Sequence, residues 1–232
     1  MITRDLAVPI VGAPMAGGPT TPELVAAVSN AGGLGCLAAG YLTADALGDR
    51  IAATRALTER PFGVNLFVPG PRTDPATYAA YAAPLGEPRW DDDDWEAKLA
   101  LLAREEVAVV SYTFGCPDPL PDLPGEAWVT VTTPAEARAA VAAGADALVV
   151  QGAEAGGHRG TWVDAPDVKP LGLIALLQLL GDDAARVGGD ELTAEGGGVA
   201  AAPREGARAG GSEYVFFAAS DVEPAFSVTA PL

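Results

Sequence analysis

The sequence predicts a single α/β domain of the TIM (β/α)8 barrel type. Short apolar runs bounded by glycine or proline alternate with segments of helical character, and several of these runs are followed by loops rich in glycine and polar residues. At 232 residues the chain has the length of one barrel domain. We therefore expect one domain over residues 1–232, whose barrel the pattern leaves incomplete at the C-terminal end.

The first third of the chain alternates strand and helix. Its strands are predicted over residues 6–12, 34–37 and 62–66. Thr21, Pro22 and Glu23 supply an N-cap, a first-turn proline and an early carboxylate, so a helix should run from there to about Asn30. Apolar residues at helical spacing predict a second helix over residues 43–57.

The middle of the chain departs from this alternation. Residues 68–94 are too long for an ordinary connection and predict an excursion over one end of the barrel. Asp91 to Asp94 are expected to cap a helix over residues 95–105 rather than to bind calcium, because the EF-hand spacing is absent. Between strands predicted at 107–111 and 128–131, four prolines leave no room for a full helix.

The pattern then recovers and later weakens. Thr133, Pro134 and Glu136 form a capping box that predicts a helix over 134–143, followed by a strand at 147–150 and a helix at 171–180. Residues 181–232 are a divergent part in which a strand is due near 188–191 and a last strand is predicted at 215–218.

Composition excludes several function classes. The formal net charge of −17 argues against binding of nucleic acid. Cys36 and Cys116 lie far apart and the chain has one histidine, which indicates neither a zinc site nor a disulfide framework. No apolar stretch is long enough to span a bilayer and the N-terminus does not resemble a signal peptide, so we expect a cytoplasmic protein.

The candidate site lies where barrel loops converge. In a parallel barrel the loops after the strands meet at one end, which brings together residues 13–18, Asn65 and the segment 151–160. Asn65 and Gln151 offer donors and acceptors suited to a heterocycle, or they satisfy loop backbone. His158 is a candidate base near neutral pH, or a structural histidine. Glu154 and Arg159 are candidates for a loop ion pair.

Three segments resemble the nitronate monooxygenase family, formerly called 2-nitropropane dioxygenases. They are Pro-Ile-Val-Gly-Ala-Pro-Met-Ala-Gly-Gly at 9–18, Gly-Val-Asn at 63–65 and Gln-Gly-Ala-Glu-Ala-Gly-Gly-His-Arg-Gly at 151–160. The resemblance implies a TIM barrel with noncovalent FMN that converts alkyl nitronates or nitroalkanes to carbonyl compounds with O2. It also implies that small-molecule nitro compounds are the partners.

Carried over by position, the resemblance implies roles for individual residues. His158 would be the catalytic base, and the residues implied to bind FMN are Ala13, Pro14, Met15, Asn65, Gln151, Gly156 and Gly157. Alignment puts Glu213 and Tyr214 where the family holds the FMN phosphate on Gly-Thr. Two alternatives remain open: a flavin-dependent enoyl-acyl-carrier-protein reductase on a similar scaffold, and a catalytically silent barrel that binds FMN weakly or not at all.

Overall fold

Strands and helices alternate along most of the chain. The computed structural model describes residues 2, 5–84, 90–163, 169–187, 213–217 and 226–229. The strands are β1 Ile10–Gly12, β2 Gly35–Ala38, β3 Phe62–Phe67, β4 Val109–Thr113, β5 Glu126–Val131, β6 Ala147–Val150, β7 Glu213–Phe217 and β8 Phe226–Thr229. The helices are α1 Pro22–Asn30, α2 Ala44–Leu57, α3 Pro75–Ala82, α4 Trp95–Leu102, α5 Pro134–Ala143 and α6 Leu173–Val187.

The strands form one eight-stranded sheet that closes on itself. Strands β2 to β7 pair in parallel in sequence order. A parallel bridge between Val11 and Leu34 joins β1 to the residue before β2, and β8 lies between β7 and β1. The sheet is therefore a barrel of the TIM type, which confirms the predicted fold class.

The last strand runs in the opposite direction to its neighbours. β8 is antiparallel to both β7 and β1. Residues 218–225 connect β7 to β8, whereas a parallel crossover needs about a dozen residues or more. The connection is therefore long enough for an antiparallel hairpin of β7 and β8 but short for the helical crossover that a regular barrel has before its eighth strand.

Threonine is the N-cap residue of three helices. The side chains of Thr21, Thr43 and Thr133 accept hydrogen bonds from the first turns of α1, α2 and α5. At α5 the capping box is complete, because Glu136 also reaches back to the backbone of Thr133. Gly144 ends this helix with a φ of 99°, in the left-handed region that glycine occupies without strain.

The barrel has two apolar clusters, one inside the barrel and one between the strands and the surrounding helices. The inner cluster fills the barrel's N-terminal half, and its members are Val11, Leu34, Val109, Trp128, Ala147 and Val149. Ile2 and Leu6 pack against this cluster, and the backbone N–H of Ile2 donates to Glu126. Residues of the opposite strand face, such as Val64 and Leu148, pack on the helices.

Helix α1 lies directly on strand β2. A Cβ atom built on Gly35 would collide with the backbone carbonyl of Val25, and the hydroxyl of Ser29 donates to Pro61 O at 2.9 Å while accepting from Gly35 N at 3.0 Å. Only a residue without a side chain allows this approach. Gly35 therefore fixes the distance between the first helix and the barrel wall.

Several sequence predictions need correction. The excursion at 68–94 contains helix α3, whose N-cap Asp74 accepts from Ala76 N. The aspartates were predicted to cap the helix at 95–105, but Asp94 makes no side-chain cap bond there. Asp93 and Asp94 have φ values of 56° and 55°, and their carboxylates accept instead from Tyr41 N and Ala44 N at the start of α2.

Other predictions agree with the structure or lie outside it. No helix occurs between β4 and β5, as the prolines predicted. The strand expected near 188–191 lies outside the described residues. β8 was not predicted, because its apolar run is short and follows proline. No helix in the described part of the chain is long and apolar enough to cross a membrane.

Candidate functional site

The predicted site residues gather at one edge of the barrel. We call this edge the mouth and define it as the C-terminal ends of strands β1 to β7. Ala13, Pro14 and Met15 directly follow β1, Asn65 lies near the end of β3, and the segment from Gln151 to Gly160 follows β6. The parallel register therefore brings the three predicted segments to the same end.

The loop after β1 is fixed by one buried threonine. Met15 N donates to Thr20 Oγ1 at 2.8 Å, and Arg50 Nη1 donates to Thr20 O at 3.0 Å. Gly17 and Gly18 have φ values of 82° and 124°, and no atom of another described residue would lie within 4 Å of a Cβ on either of them. The loop thus offers open backbone at the mouth while its base is held in place.

Asn65 belongs to a polar ladder on the inner face of the barrel. Its Nδ2 donates to Ser111 Oγ at 2.7 Å and to Thr113 Oγ1 at 2.9 Å, and Thr113 Oγ1 lies 3.1 Å from Thr130 Oγ1. Because Ser111 and Thr113 share the strand face of Val109, the interior changes from apolar at the N-terminal half to polar at the mouth. The amide nitrogen of Asn65 is therefore bonded to the neighbouring strand β4.

Gln151 holds the loop that carries His158. Its Oε1 accepts from Gly160 N at 2.6 Å, and its Nε2 donates to His158 O at 3.1 Å. Both ends of the amide thus bond to loop backbone, which is the structural alternative considered for this residue. A Cβ on Gly160 would lie 2.8 Å from Thr130 Cγ2, so the loop packs directly on the end of β5.

Glu136 connects the start of α5 to the same loop. Its Oε2 accepts from Thr132 N at 2.6 Å and from Thr133 N at 3.1 Å, and its Oε1 accepts from Trp162 N at 3.0 Å. The indole of Trp162 in turn donates to Thr130 O at 2.9 Å. One helix-capping carboxylate therefore anchors the far end of the loop.

His158 is exposed at the mouth and packs against an aromatic ring. The ring centroids of His158 and Phe114 are 6.4 Å apart, and the planes meet at 86°. Phe114 contacts Phe67 at 4.8 Å, and Phe67 contacts Tyr41 at 5.5 Å, both with edge geometry. We call Tyr41, Phe67, Phe114 and His158 the aromatic row. It follows the mouth from the end of β2 to the loop after β6.

Arg159 and Glu154 do not pair with each other. Glu154 accepts from Leu173 N at the start of α6, at 3.1 and 2.9 Å. Arg159 Nη2 is buried and has no hydrogen-bond partner within the described ranges. The ion pair considered from sequence is therefore wrong, and Arg159 keeps an unused donor next to His158.

Glu213 and Tyr214 do not lie where the alignment expects them. They begin β7 and pair with Ala147 and Leu148, the first residues of β6. Because the strands are parallel, both lie at the N-terminal end of the barrel, away from the mouth. The strand register therefore separates Glu213 and Tyr214 from the other residues of the predicted site.

The two cysteines are free thiols held in the protonated form. Burial raises the pKa of Cys36 to about 12, against the opposing effect of a hydrogen bond with Ser111. Burial, reinforced by the negative charge of Asp118, raises the pKa of Cys116 to about 11. Neither thiol is activated as a nucleophile. The described residues also contain no cluster of side chains suited to a metal ion.

Sequence reasoning missed two residues of this region. Phe114 follows β4 with a φ of 71°, and nothing in its local sequence signals contact with a loop more than forty residues away. Glu136 was recognised as part of a capping box, but its bond to Trp162 depends on tertiary packing. Ser111 also belongs to this region, and its hydroxyl bonds to Asn65 and Cys36.

Comparison with known proteins gives consistent matches. Residues 2–216 match the profile of the nitronate monooxygenase family. A probable nitronate monooxygenase of Bacillus subtilis (strain 168) is 37% identical over 196 residues, covering 77% of this chain and 56% of that protein. The chain therefore spans little more than half the length of this relative.

Two solved structures share the fold. The nitroalkane oxidase from Streptomyces ansochromogenes is 45% identical with a TM-score of 0.69, covering 78% of this chain and 57% of that chain. FabK from Thermotoga maritima is 27% identical with a TM-score of 0.56, covering 78% of this chain and 50% of that chain.

Proposed function

Because the chain belongs to the nitronate monooxygenase family, we propose that it oxidises alkyl nitronates and nitroalkanes to carbonyl compounds with FMN and O2. The observation that carries the proposal is the arrangement of His158 at the mouth. Its backbone is fixed by Gln151, while its imidazole is exposed and has no hydrogen-bond partner in the described part of the chain. Such a ring is available to take a proton from a small substrate.

The residues at the mouth fit a bound flavin. Arg159 Nη2 is a buried donor without an acceptor among the described residues, and a buried polar group of this kind is costly unless a ligand satisfies it. Gly17, Gly18 and Gly157 leave open space beside their backbone, which allows a flat ligand to approach closely. When bound, FMN would supply the one-electron oxidation of the nitronate that leads to denitrification by O2.

We assign the following roles to the mouth residues. Ala13, Pro14 and Met15 would line the flavin ring, since they follow β1 and Met15 is anchored on Thr20. Asn65 would present the polar ladder to the ring, and Gly156 and Gly157 would border it. Gln151 would act through the loop, because both ends of its amide hold backbone groups on either side of Arg159.

His158 would abstract the α-proton of a neutral nitroalkane. A preformed nitronate has already lost this proton and does not need the base. The two substrate forms therefore separate the role of His158 from every role in flavin binding. General base catalysis typically contributes about 10² to 10⁴-fold to the rate.

An enoyl reductase of related fold is the second candidate. The likeness to FabK from Thermotoga maritima favours it, although the identity is lower than to the Streptomyces nitroalkane oxidase. NADH-dependent reduction of an enoyl thioester would distinguish this activity from nitronate oxidation. A cytoplasmic location remains part of the proposal and agrees with the two free cysteines.

Reconstitution with FMN followed by single-turnover reduction tests the proposal. The purified chain is titrated with FMN, and binding is followed by the visible spectrum and by flavin fluorescence. Anaerobic propyl nitronate should then bleach the flavin absorbance. A chain that stays colourless after FMN addition would support the catalytically silent barrel, and flavin reduced by NADH but not by nitronate would support the reductase.

The His158→Ala variant tests the base. We expect kcat/KM for 1-nitropropane to fall about 10² to 10⁴-fold, with kcat/KM for propyl nitronate near that of the unaltered protein. The nitronate reaction serves as the internal control for folding and flavin content. Equal losses on both substrates would contradict the base role and leave His158 a structural residue.

A further inference from the structure

Among the described residues, one aromatic ring lies beside the imidazole of His158. The loop bonds described above fix the backbone of His158 through its carbonyl, which leaves the side-chain torsions free. Within the described residues the ring contacts Phe114 in edge geometry and makes no hydrogen bond. Aromatic pairs with centroids less than about 7 Å apart have a preferred orientation. The edge contact with Phe114 is therefore one contact that favours a particular direction of the ring.

The backbone of Phe114 adopts a conformation that is unfavourable for a bulky residue. Its φ of 71° lies in the left-handed region, where bulky residues other than glycine, asparagine and aspartate are uncommon. Such conformations persist when surrounding contacts determine them, and they concentrate at functional sites. Here the contact is Phe67, whose ring centroid lies 4.8 Å from that of Phe114.

Tyr41 provides a matched feature at the other end of the aromatic row. It also packs edge-on against Phe67, and its φ is 66°. Its backbone N–H donates to a carboxylate oxygen of Asp93, and the residue is 71% exposed. Tyr41 thus shares the backbone conformation and the partner of Phe114, but no contact between its ring and His158 exists in the structure's described residues.

We propose that Phe114 is the positioning residue of His158, holding the imidazole in the orientation that proton abstraction requires. The proposal rests on the function proposed above, because it concerns the same base. Phe114 does not itself act on the substrate. Its removal should therefore weaken the step that needs His158 and leave the oxidation of a preformed nitronate intact.

Glycine substitutions give the sharpest test. Phe114→Gly removes the ring and suits the positive φ, so the variant is expected to fold. Tyr41→Gly makes the same kind of change at the matched position and is the control. Phe114→Tyr keeps an aromatic ring and is the conservative variant.

Kinetics on two substrate forms provide the first readout. We expect Phe114→Gly to lower kcat/KM for 1-nitropropane by about ten- to hundredfold and to leave propyl nitronate nearly unaffected. Tyr41→Gly should leave the ratio of the two kcat/KM values unchanged, and Phe114→Tyr should restore it. A ratio in Phe114→Gly equal to that of the unaltered protein would overturn the proposal.

The single histidine provides a second readout that does not require activity. In protein without a histidine tag, the imidazole Hε1 resonance belongs to His158 alone. Loss of the Phe114 ring current should shift this resonance in Phe114→Gly, whereas Tyr41→Gly should not change it. An unmoved resonance in Phe114→Gly would overturn the proposal even if the rates had changed.

These outcomes separate two kinds of failure. If the unaltered protein oxidises neither substrate, the proposed function fails, and the resonance still tests whether Phe114 orients His158. If the unaltered protein oxidises both and His158→Ala loses the nitroalkane selectively while Phe114→Gly does not, the function stands and the positioning role is refuted.

Discussion

Replacement of Gln151 by alanine should release the loop that carries His158. The substitution removes the acceptor of Gly160 N, at 2.6 Å, and the donor to His158 O, at 3.1 Å. Gly160 is buried against Thr130, so its N–H is left without a partner unless the loop opens. The perturbation therefore acts on two backbone groups that flank Arg159.

The two bonds set the expected magnitude. A neutral hydrogen bond contributes about 1 kcal/mol net, and an orphaned buried donor costs about 1 to 3 kcal/mol. Opening of the loop exposes Gly160 N to water and limits the total, so we expect a loss of about 2 kcal/mol in the local stability of the loop. That free energy corresponds to roughly 30-fold faster exchange of the Gly160 amide hydrogen.

Hydrogen exchange measures this quantity directly. The Gly160 amide is followed by NMR, or within a peptide spanning residues 158–161 by mass spectrometry, in the unaltered protein and in Gln151→Ala. Amides of β4 and β5 serve as internal references, since their protection reports the barrel and not the loop.

A conservative variant separates the two bonds. Gln151→Glu keeps an oxygen for Gly160 N and loses the donor to His158 O, so protection of the Gly160 amide should survive. If Gln151→Ala leaves Gly160 protected as strongly as in the unaltered protein, the loop is held by other contacts and the reasoning is refuted.

Three further predictions concern stability. Glu136→Ala should lower the free energy of unfolding by about 3 kcal/mol in urea, because the α5 cap and the loop anchor are both lost, while the exposed Glu96→Ala should change it little. Gly35→Ala should destabilise by about 1 to 3 kcal/mol by displacing α1, whereas Gly48→Ala in α2 has space for its methyl group and should not destabilise. The pKa of the Cys36 thiol is raised from 9.0 to about 12, so its contribution to stability is present below pH 9 and is lost as the pH rises toward 12. The unfolding free energy, measured by urea denaturation at pH 7.5 and pH 10, should therefore change with pH by about 1 kcal/mol less in Cys36→Ala than in the unaltered protein. The same pH dependence in both proteins would refute the protonated thiol.

Secondary structure was predicted well where short-range sequence features determine it. Helix α5 and strand β6 have the predicted bounds, because a capping box and a buried apolar run leave few alternatives. The aspartates at 91–94 were misassigned because two of them adopt positive φ, which turns their carboxylates toward α2. The direction of β8 depends on pairing with β7 and β1, which is not encoded in its own residues.

The sequence predicted that the candidate site residues share one end of the barrel, but it did not predict their hydrogen bonds. A parallel barrel places Asn65, Gln151 and His158 at the same end, and the observed register does so. Their hydrogen-bond partners come from residues such as Ser111 and Gly160, whose contacts depend on side-chain rotamers and loop packing. Spacing along the sequence carries no information on these contacts.

The polar ladder on the inner face has a fixed direction at one end only. An amide nitrogen only donates, so the hydroxyl oxygen of Thr113 accepts from Asn65 Nδ2, at 2.9 Å. A hydroxyl oxygen has two lone pairs, so either threonine can donate in the 3.1 Å bond between Thr113 and Thr130. Asn65→Asp would remove this freedom, because Thr113 would have to donate its single proton to the carboxylate. Thr130 would then donate to Thr113 and would offer only lone pairs to a ligand at the barrel end.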